Sequence, residues 1–158
     1  QVCQAANDNG GGQVVVSGDK AAVERAVEIA KGKGARRAMM LPVSAPFHCS
    51  LMQPAADAMA AALAGVTVKS PVVPVVANVL AKPIRDPADI VGALVAQVTG
   101  TVRWRDSICF MADAGVTRFC EVGAGKVLSG LVKRIAEGAI GVSVGTPDDV
   151  AAFKTPRP

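Results

Sequence analysis

Apolar positions in the first third of the chain change period twice. Val14, Val15 and Val16 follow one another without polar alternation between Gln13 and Ser17, which predicts a buried strand over residues 13–17. Past Gly18 the apolar residues Val23, Ala26, Val27 and Ala30 fall on one helical face, predicting a helix over 20–31. Asp19 is placed to cap its start, and Gly32 and Gly34 to end it. Residues 36–43 read as a second strand. The Asn-Asp-Asn-Gly-Gly-Gly run at 7–12 reads as a turn ahead of this strand–helix–strand unit.

The helical period returns at Met52, Ala56, Met59 and Leu63, with Gly65 as a stop. Ser50 and Gln53 have the Ser-x-x-Gln spacing of a capping box for that helix. Residues 66–79 look extended, punctuated by Pro71 and Pro74, with a β-rich core at 72–76. Asp86-Pro87-Ala88-Asp89 is a strong helix start. Its helix carries Ile90, Leu94, Gln97 and Val98 inward and ends at Thr99-Gly100. A helix over 103–114 with Trp104, Ile108 and Met111 in register is followed by a strand at 116–122. Gly123-Ala124-Gly125-Lys126 then turns into a helix with Val127, Leu128, Leu131 and Ile135 inward, stopping at Gly138. A strand at 140–144 and a short helix opened by Thr146-Pro147-Asp148-Asp149 close the series, and the tail 154–158 is expected to fray. Strands alternating with helices predict an α/β fold with a largely parallel sheet.

Composition narrows the function classes. The 158 residues suffice for one domain with a real core, and 51% hydrophobic against 19% charged residues excludes a disordered chain. Apolar runs are broken well short of 18 residues, so no membrane span is expected. No secretory signal opens the chain. Cys3, Cys49, Cys109 and Cys120 are widely spaced, and one histidine cannot complete a zinc cluster, so no metal site is expected and cytoplasmic, reduced thiols are the default. Four Phe, one Trp and no Tyr make a poor stacking platform for nucleic acid. The net charge of +4 suits an acidic partner and equally a solvated surface. The chain starts at Gln1 without an initiator Met, the mark of a fragment or a processed polypeptide.

The one histidine, His48, precedes a helix start, where a neutral imidazole can serve as a general base. A structural histidine filling a hydrogen-bonding niche suits the same pattern. Gln97 is a polar residue on an apolar stripe, so its amide must either brace structure or serve a site. Cys49 reads as packing. The glycine turn at 123–126 fails as a phosphate loop, because Cys120 stands where a first Gly is needed and Val127 where Ser or Thr is needed. It fails as a dinucleotide fingerprint at Leu128. No Gly-x-Ser-x-Gly elbow is present. The residues thus offer a base without a nucleophile.

Pro42-Val43-Ser44-Ala45-Pro46-Phe47-His48-Cys49-Ser50-Leu51-Met52, followed by Pro54-Ala55-Ala56, resembles the histidine segment of malonyl-CoA:acyl carrier protein transacylases of bacterial type-II fatty acid synthesis. Residues 13–26, 74–79 and 121–134 agree with that family in order and spacing. The resemblance implies that this chain is the C-terminal half of such an enzyme. The family's Gly-His-Ser-x-Gly elbow, oxyanion glutamine and malonyl-binding arginine belong to an N-terminal half, so the chain alone is expected to be inactive and to need a complementary N-terminal polypeptide.

By the same resemblance, His48 is the base of a Ser-His dyad and Gln97 orients its ring through a main-chain carbonyl. A carbonyl near the C-terminal end of a helix lacks an intrahelical donor and is free to accept. Asn78 matches a family asparagine near the site, and Phe47 the bulky residue that disfavours an α-methyl branch on the donor. The implied partners are malonyl-CoA and acyl carrier protein, with no cofactor. The implied fold is α/β, with residues 1–48 as the C-terminal part of a ferredoxin-like small subdomain and 49–158 as that of an α/β-hydrolase-like large one. Two alternatives stay open: a polyketide synthase acyltransferase module with another extender unit, and an inactive fragment lacking the nucleophile.

Overall fold

The structure, a computed structural model, describes residues 1–154. The predicted fraying of the tail falls largely outside them. The fold is α/β, and the chain divides into two compact units. One comprises Gln1–Asn9 with Gln13–Trp104, the other Gly10–Gly12 with residue 105 onward.

The first unit opens with a hairpin. Strand β1 (Cys3–Asp8) pairs antiparallel with β2 (Val14–Gly18), with an irregularity between Ala5 and Asn7. The predicted turn is therefore shorter than 7–12, because Asn7 and Asp8 continue β1. The predicted strand at 13–17 forms, shifted by one residue, but it is not buried: Val14 and Val16 are exposed on a two-stranded sheet. Helix α1 (Lys20–Gly32) follows as expected, with Ala22 buried. Asp19 sits at its N-cap position, yet its carboxylate makes no cap bond. Oδ2 accepts from the Val2 N–H at 2.6 Å, and the Val2 carbonyl accepts from the Asp19 N–H, tying the start of the chain to the start of α1.

Residues 36–43 do not form the predicted strand. A strand needs a ladder partner, and none of the described residues pairs with this segment. Met39, Met40, Leu41 and Val43 stand exposed along it. The capping box does not form either. A 3-10 turn over Ser50–Met52 leads into α2 (Gln53–Leu63), with neither residue bonded as the box requires. Gln53 instead donates forward to Asp57 at 2.8 Å. Ala56 is buried where α2 packs on α3, whereas Met59, expected inward, is exposed.

The extended region 66–79 condenses to a short antiparallel hairpin, β3 (Val75–Ala77) with β4 (Lys82–Ile84). Helix α3 (Pro87–Thr99) begins as the sequence dictates, Asp86 Oδ1 accepting from the Ala88 N–H at 2.7 Å with Pro87 in the first turn. Past α3, the chain returns to β1. The Val102 N–H donates to the Ala6 carbonyl at 2.8 Å and the Asp8 N–H to the Val102 carbonyl at 2.9 Å, a parallel bridge between Asn7 and Val102.

In the second unit, α4 (Trp104–Asp113, entering from the first) buries Ile108 and Ser107. Strand β5 (Arg118–Val122) pairs with β6 (Ile140–Val144) in parallel, joined through α5 (Val127–Ile135). Helix α5 is rotated from its predicted register: Ser129, Leu131 and Val132 are buried, and Val127 and Leu128 are exposed. Buried Ser129 shares a hydrogen bond with Ser143 of β6 at 2.8 Å. Helix α6 (Pro147–Lys154) closes the described chain. The expectation of a largely parallel sheet is corrected: of the three strand pairs among the described residues, only β5–β6 is parallel.

Candidate active site

His48 ends an irregular segment in a left-handed backbone conformation, φ +59°. Few non-glycine residues adopt that conformation, histidine more readily than most, and it persists where the surroundings hold it. The surroundings are specific. Cys49 is fully buried, and its thiol donates to the Pro46 carbonyl at 3.1 Å, closing the turn from beneath. The Ser50 N–H donates to Oε1 of Gln4 at 2.7 Å, and the Met52 N–H to the Cys49 carbonyl at 3.0 Å. His48 itself is half-buried.

The ring of His48 meets the end of α3. Its Nδ1 lies 2.9 Å from the main-chain oxygen of Gln97. A carbonyl can only accept, so this contact requires the proton on Nδ1, and in the neutral ring the lone pair is then on Nε2. The Gln97 oxygen is free for the purpose because α3 ends at Thr99 with Gly100 extended behind it, and the residue four ahead is already outside the helix. The side chain of Gln97 turns the other way, with Oε1 accepting from Asn78 Nδ2 at 3.3 Å. Asn78 is fixed in turn by its own carbonyl, which accepts from the Arg103 N–H at 2.9 Å.

His48, Gln97 and Asn78 are thus brought into one hydrogen-bonded series. Phe47 lies beside His48 in the turn and is 47% exposed, with no role in the core. Two further residues belong to this arrangement. Cys49 packs, as expected of it. Gln4 carried no local signal at all, since it acts across 46 residues.

Cavities do not mark the site. A groove of about 720 Å³ runs between α1 and residues 38–40 and touches none of these six residues. A smaller one of about 150 Å³ lies between the β3–β4 hairpin and α3, with Asn78 and Gln97 on its wall. It is below the size of ordinary ligand pockets. Chemistry, not volume, singles out His48. Among the described residues no group of three or more His, Cys, Asp or Glu could hold a metal, and no helix is long and apolar enough to cross a membrane.

The turn at 123–126 also acquires a structural account. At the end of β5, the Glu121 carboxylate accepts the N–H groups of Ser129 at 2.8 Å and Leu128 at 3.2 Å, in the first turn of α5. Those are the donors an anion would use at this helix start. The Ser129 bond above all holds the Glu121 carboxyl below its ordinary value.

No family model matches the chain. Individual relatives do. The malonyl CoA-acyl carrier protein transacylase of Salmonella typhimurium is 48% identical over 155 residues, 98% of this chain and 50% of that protein. The one from Bacillus subtilis is 44% identical over 147 residues, 93% of this chain and 46% of the relative. Among solved structures, an acyl-carrier-protein-S-malonyltransferase from Bartonella henselae superposes with a TM-score of 0.91 at 54% identity, covering 96% of this chain and 48% of that one. Another, a type II PKS acyl-carrier protein in complex with its malonyl-transacylase, matches with a TM-score of 0.88 at 41% identity, over 98% of this chain and 50% of that one. The chain spans about half the length of the curated relatives it matches. Across nearly all of its own length, in both sequence and fold, this chain is similar to one half of the malonyl CoA-acyl carrier protein transacylases.

Proposed function

We propose that this chain supplies the histidine half of a Ser-His dyad that moves a malonyl group from malonyl-CoA to the phosphopantetheine thiol of acyl carrier protein. The observation that carries the reading is the 2.9 Å contact between His48 Nδ1 and the Gln97 carbonyl. It performs the work of the carboxylate in a Ser-His-Asp triad, holding one tautomer and aiming Nε2. A serine on a complementary N-terminal polypeptide attacks the malonyl thioester while Nε2 takes its proton. The tetrahedral adduct collapses, and the CoA thiolate leaves with that proton. The pantetheine thiol then gives its proton to Nε2 and attacks the malonyl-serine ester, and the serine leaves with the proton restored.

The same reading assigns residues 1–48 to a ferredoxin-like small subdomain and 49–158 to an α/β-hydrolase-like large one, both completed by the N-terminal polypeptide. Two features favour a missing complement. Parallel strands belong in larger sheets covered on both faces, yet β5–β6 is two-stranded, with Val122 81% exposed. The strand-like segment 36–43 has no ladder partner among the described residues. Asn78 steadies Gln97, and Phe47 restricts the donor to an unbranched malonyl group. The structural neighbour bound to a polyketide carrier protein favours a second reading, in which the acceptor belongs to polyketide assembly.

The test mixes the 158-residue chain with a complementary N-terminal half and follows labelled malonyl from CoA to carrier protein. Transfer appears only in the mixture, and His48→Ala lowers it by about 10³-fold or more, the scale of triad deletions. Near-unchanged turnover by His48→Ala sinks the dyad. Assaying fatty-acid and polyketide carrier proteins side by side separates the two acceptors.

A further inference from the structure

Both sides of the His48–Gln97 contact are hydrogen-bonded to a single strand. On the Gln97 side, the Thr101 hydroxyl donates to the Ala5 carbonyl at 2.6 Å and the Val102 N–H to the Ala6 carbonyl at 2.8 Å, within five residues of the oxygen that faces the ring. On the histidine side, Gln4 of the same strand accepts the Ser50 N–H at 2.7 Å, two residues past the ring. The donor is a backbone N–H, so the atom facing it is Oε1 and the orientation of the amide is fixed. The Ser50 N–H lies at a helix start, where no intrahelical acceptor exists. Gln4 therefore takes the place that the Ser50/Gln53 spacing offered locally.

We propose that Gln4 is a positioning residue for His48, fixing the left-handed turn that presents the imidazole to the Gln97 carbonyl; the proposal rests on the dyad reading above. Gln4 touches neither ring nor substrate. Strand β1 already carries the connection beyond α3, so one further hydrogen bond registers the His48 turn against the same strand. Without it, the turn keeps its buried Cys49 anchor but loses the bond that holds Ser50, and the ring swings off its acceptor. Nδ1 is then no longer held as the protonated nitrogen.

The chain has one histidine, so its ring signals are unambiguous in a nitrogen-15 labelled sample. In the wild-type chain they report the Nδ1–H tautomer. Gln4→Thr, which preserves strand propensity while removing the reaching acceptor, shifts them towards a mixture with the Nε2–H form. Gln4→Glu keeps an acceptor at the same reach and restores the wild-type pattern. Ring signals in Gln4→Thr identical to wild type overturn the proposal, whether or not the chain transfers malonyl. In the reconstituted transferase, Gln4→Thr lowers kcat between about tenfold and a hundredfold, the cost of a small misplacement of a reacting group, with KM for malonyl-CoA unchanged and recovery in Gln4→Glu. A rise in KM alone, or equal loss in Gln4→Thr and Gln4→Glu, also overturns it. Failure of the dyad reading itself shows differently, as an inactive wild-type mixture.

Discussion

Nδ1 of His48 and the main-chain oxygen of Gln97 stand 2.9 Å apart across 49 positions of sequence. Because the acceptor belongs to the backbone, no single side-chain substitution at position 97 deletes it. Gln97→Ala removes only the bond to Asn78, worth about 1 kcal/mol as a typical net hydrogen bond. Urea unfolding should register that loss. Malonyl transfer in the reconstituted enzyme should fall by less than about tenfold, against the far deeper loss in His48→Ala. A loss equal to that of His48→Ala refutes the main-chain role.

Gly100 sits three residues past Gln97 in a crowded place. A Cβ there would lie 2.7 Å from Val79 Cγ2 and 2.8 Å from the Ala96 carbonyl oxygen. The valine methyl can rotate, but the carbonyl is backbone and cannot yield without moving the end of α3. Gly100→Ala should therefore destabilise the chain by about 1–3 kcal/mol, as overpacking does. It should also weaken the His48 contact, seen as altered ring signals. A melting temperature unchanged from wild type contradicts the crowding.

Glu121 gives the chain an acid limb. Its folded carboxyl titrates below the ordinary 4.5, chiefly through the Ser129 N–H, so folding favours the ionised form. The stability this contributes is fully present above about pH 4.5 and is lost as pH falls through the lower, folded value. Asp149 acts in the same direction, its carboxyl lowered first by the Gly145 N–H, from an ordinary value of 3.8. In denaturant titrations between pH 2 and 7, Glu121→Gln should be less stable than wild type at neutral pH and should converge with it in acid. Parallel curves over the whole range exclude the linkage.

Phe47 is adjacent to His48 yet largely outside the core, so replacing it should leave stability almost unchanged. Phe47→Ser should raise the use of methylmalonyl-CoA relative to malonyl-CoA in paired transfer assays. An unchanged ratio removes Phe47 from donor selection.

Local chemistry was legible in the sequence; distant competition was not. Asp86-Pro87 announces α3 because its cap bond closes within two residues. The strand expected at 140–144 matches β6 in full. Ser50 and Gln53 have the right spacing for a capping box, but Gln4 supplies the acceptor from another strand. Residues 36–43 carry a strand's composition, and composition cannot provide the ladder. Strand β1 lacks the β-branched run that marks β2, so only its pairing reveals it. His48 and Gln97 were each identifiable, one as a lone histidine and the other as a polar break in an apolar stripe. What joins them is geometry at a helix end, which the resemblance to the transacylases anticipated and residue patterning did not.

The buried thiol beside His48 has a practical consequence. Cys49 is 0% exposed, whereas Cys3 and Cys120 are exposed. A thiol reagent can reach Cys49 only when its surroundings open, so with the other cysteines replaced by serine, its alkylation rate counts openings around the neighbouring turn. The chain thereby contains its own stopwatch, one residue from the histidine, for how often the contact between His48 and Gln97 comes apart and re-forms.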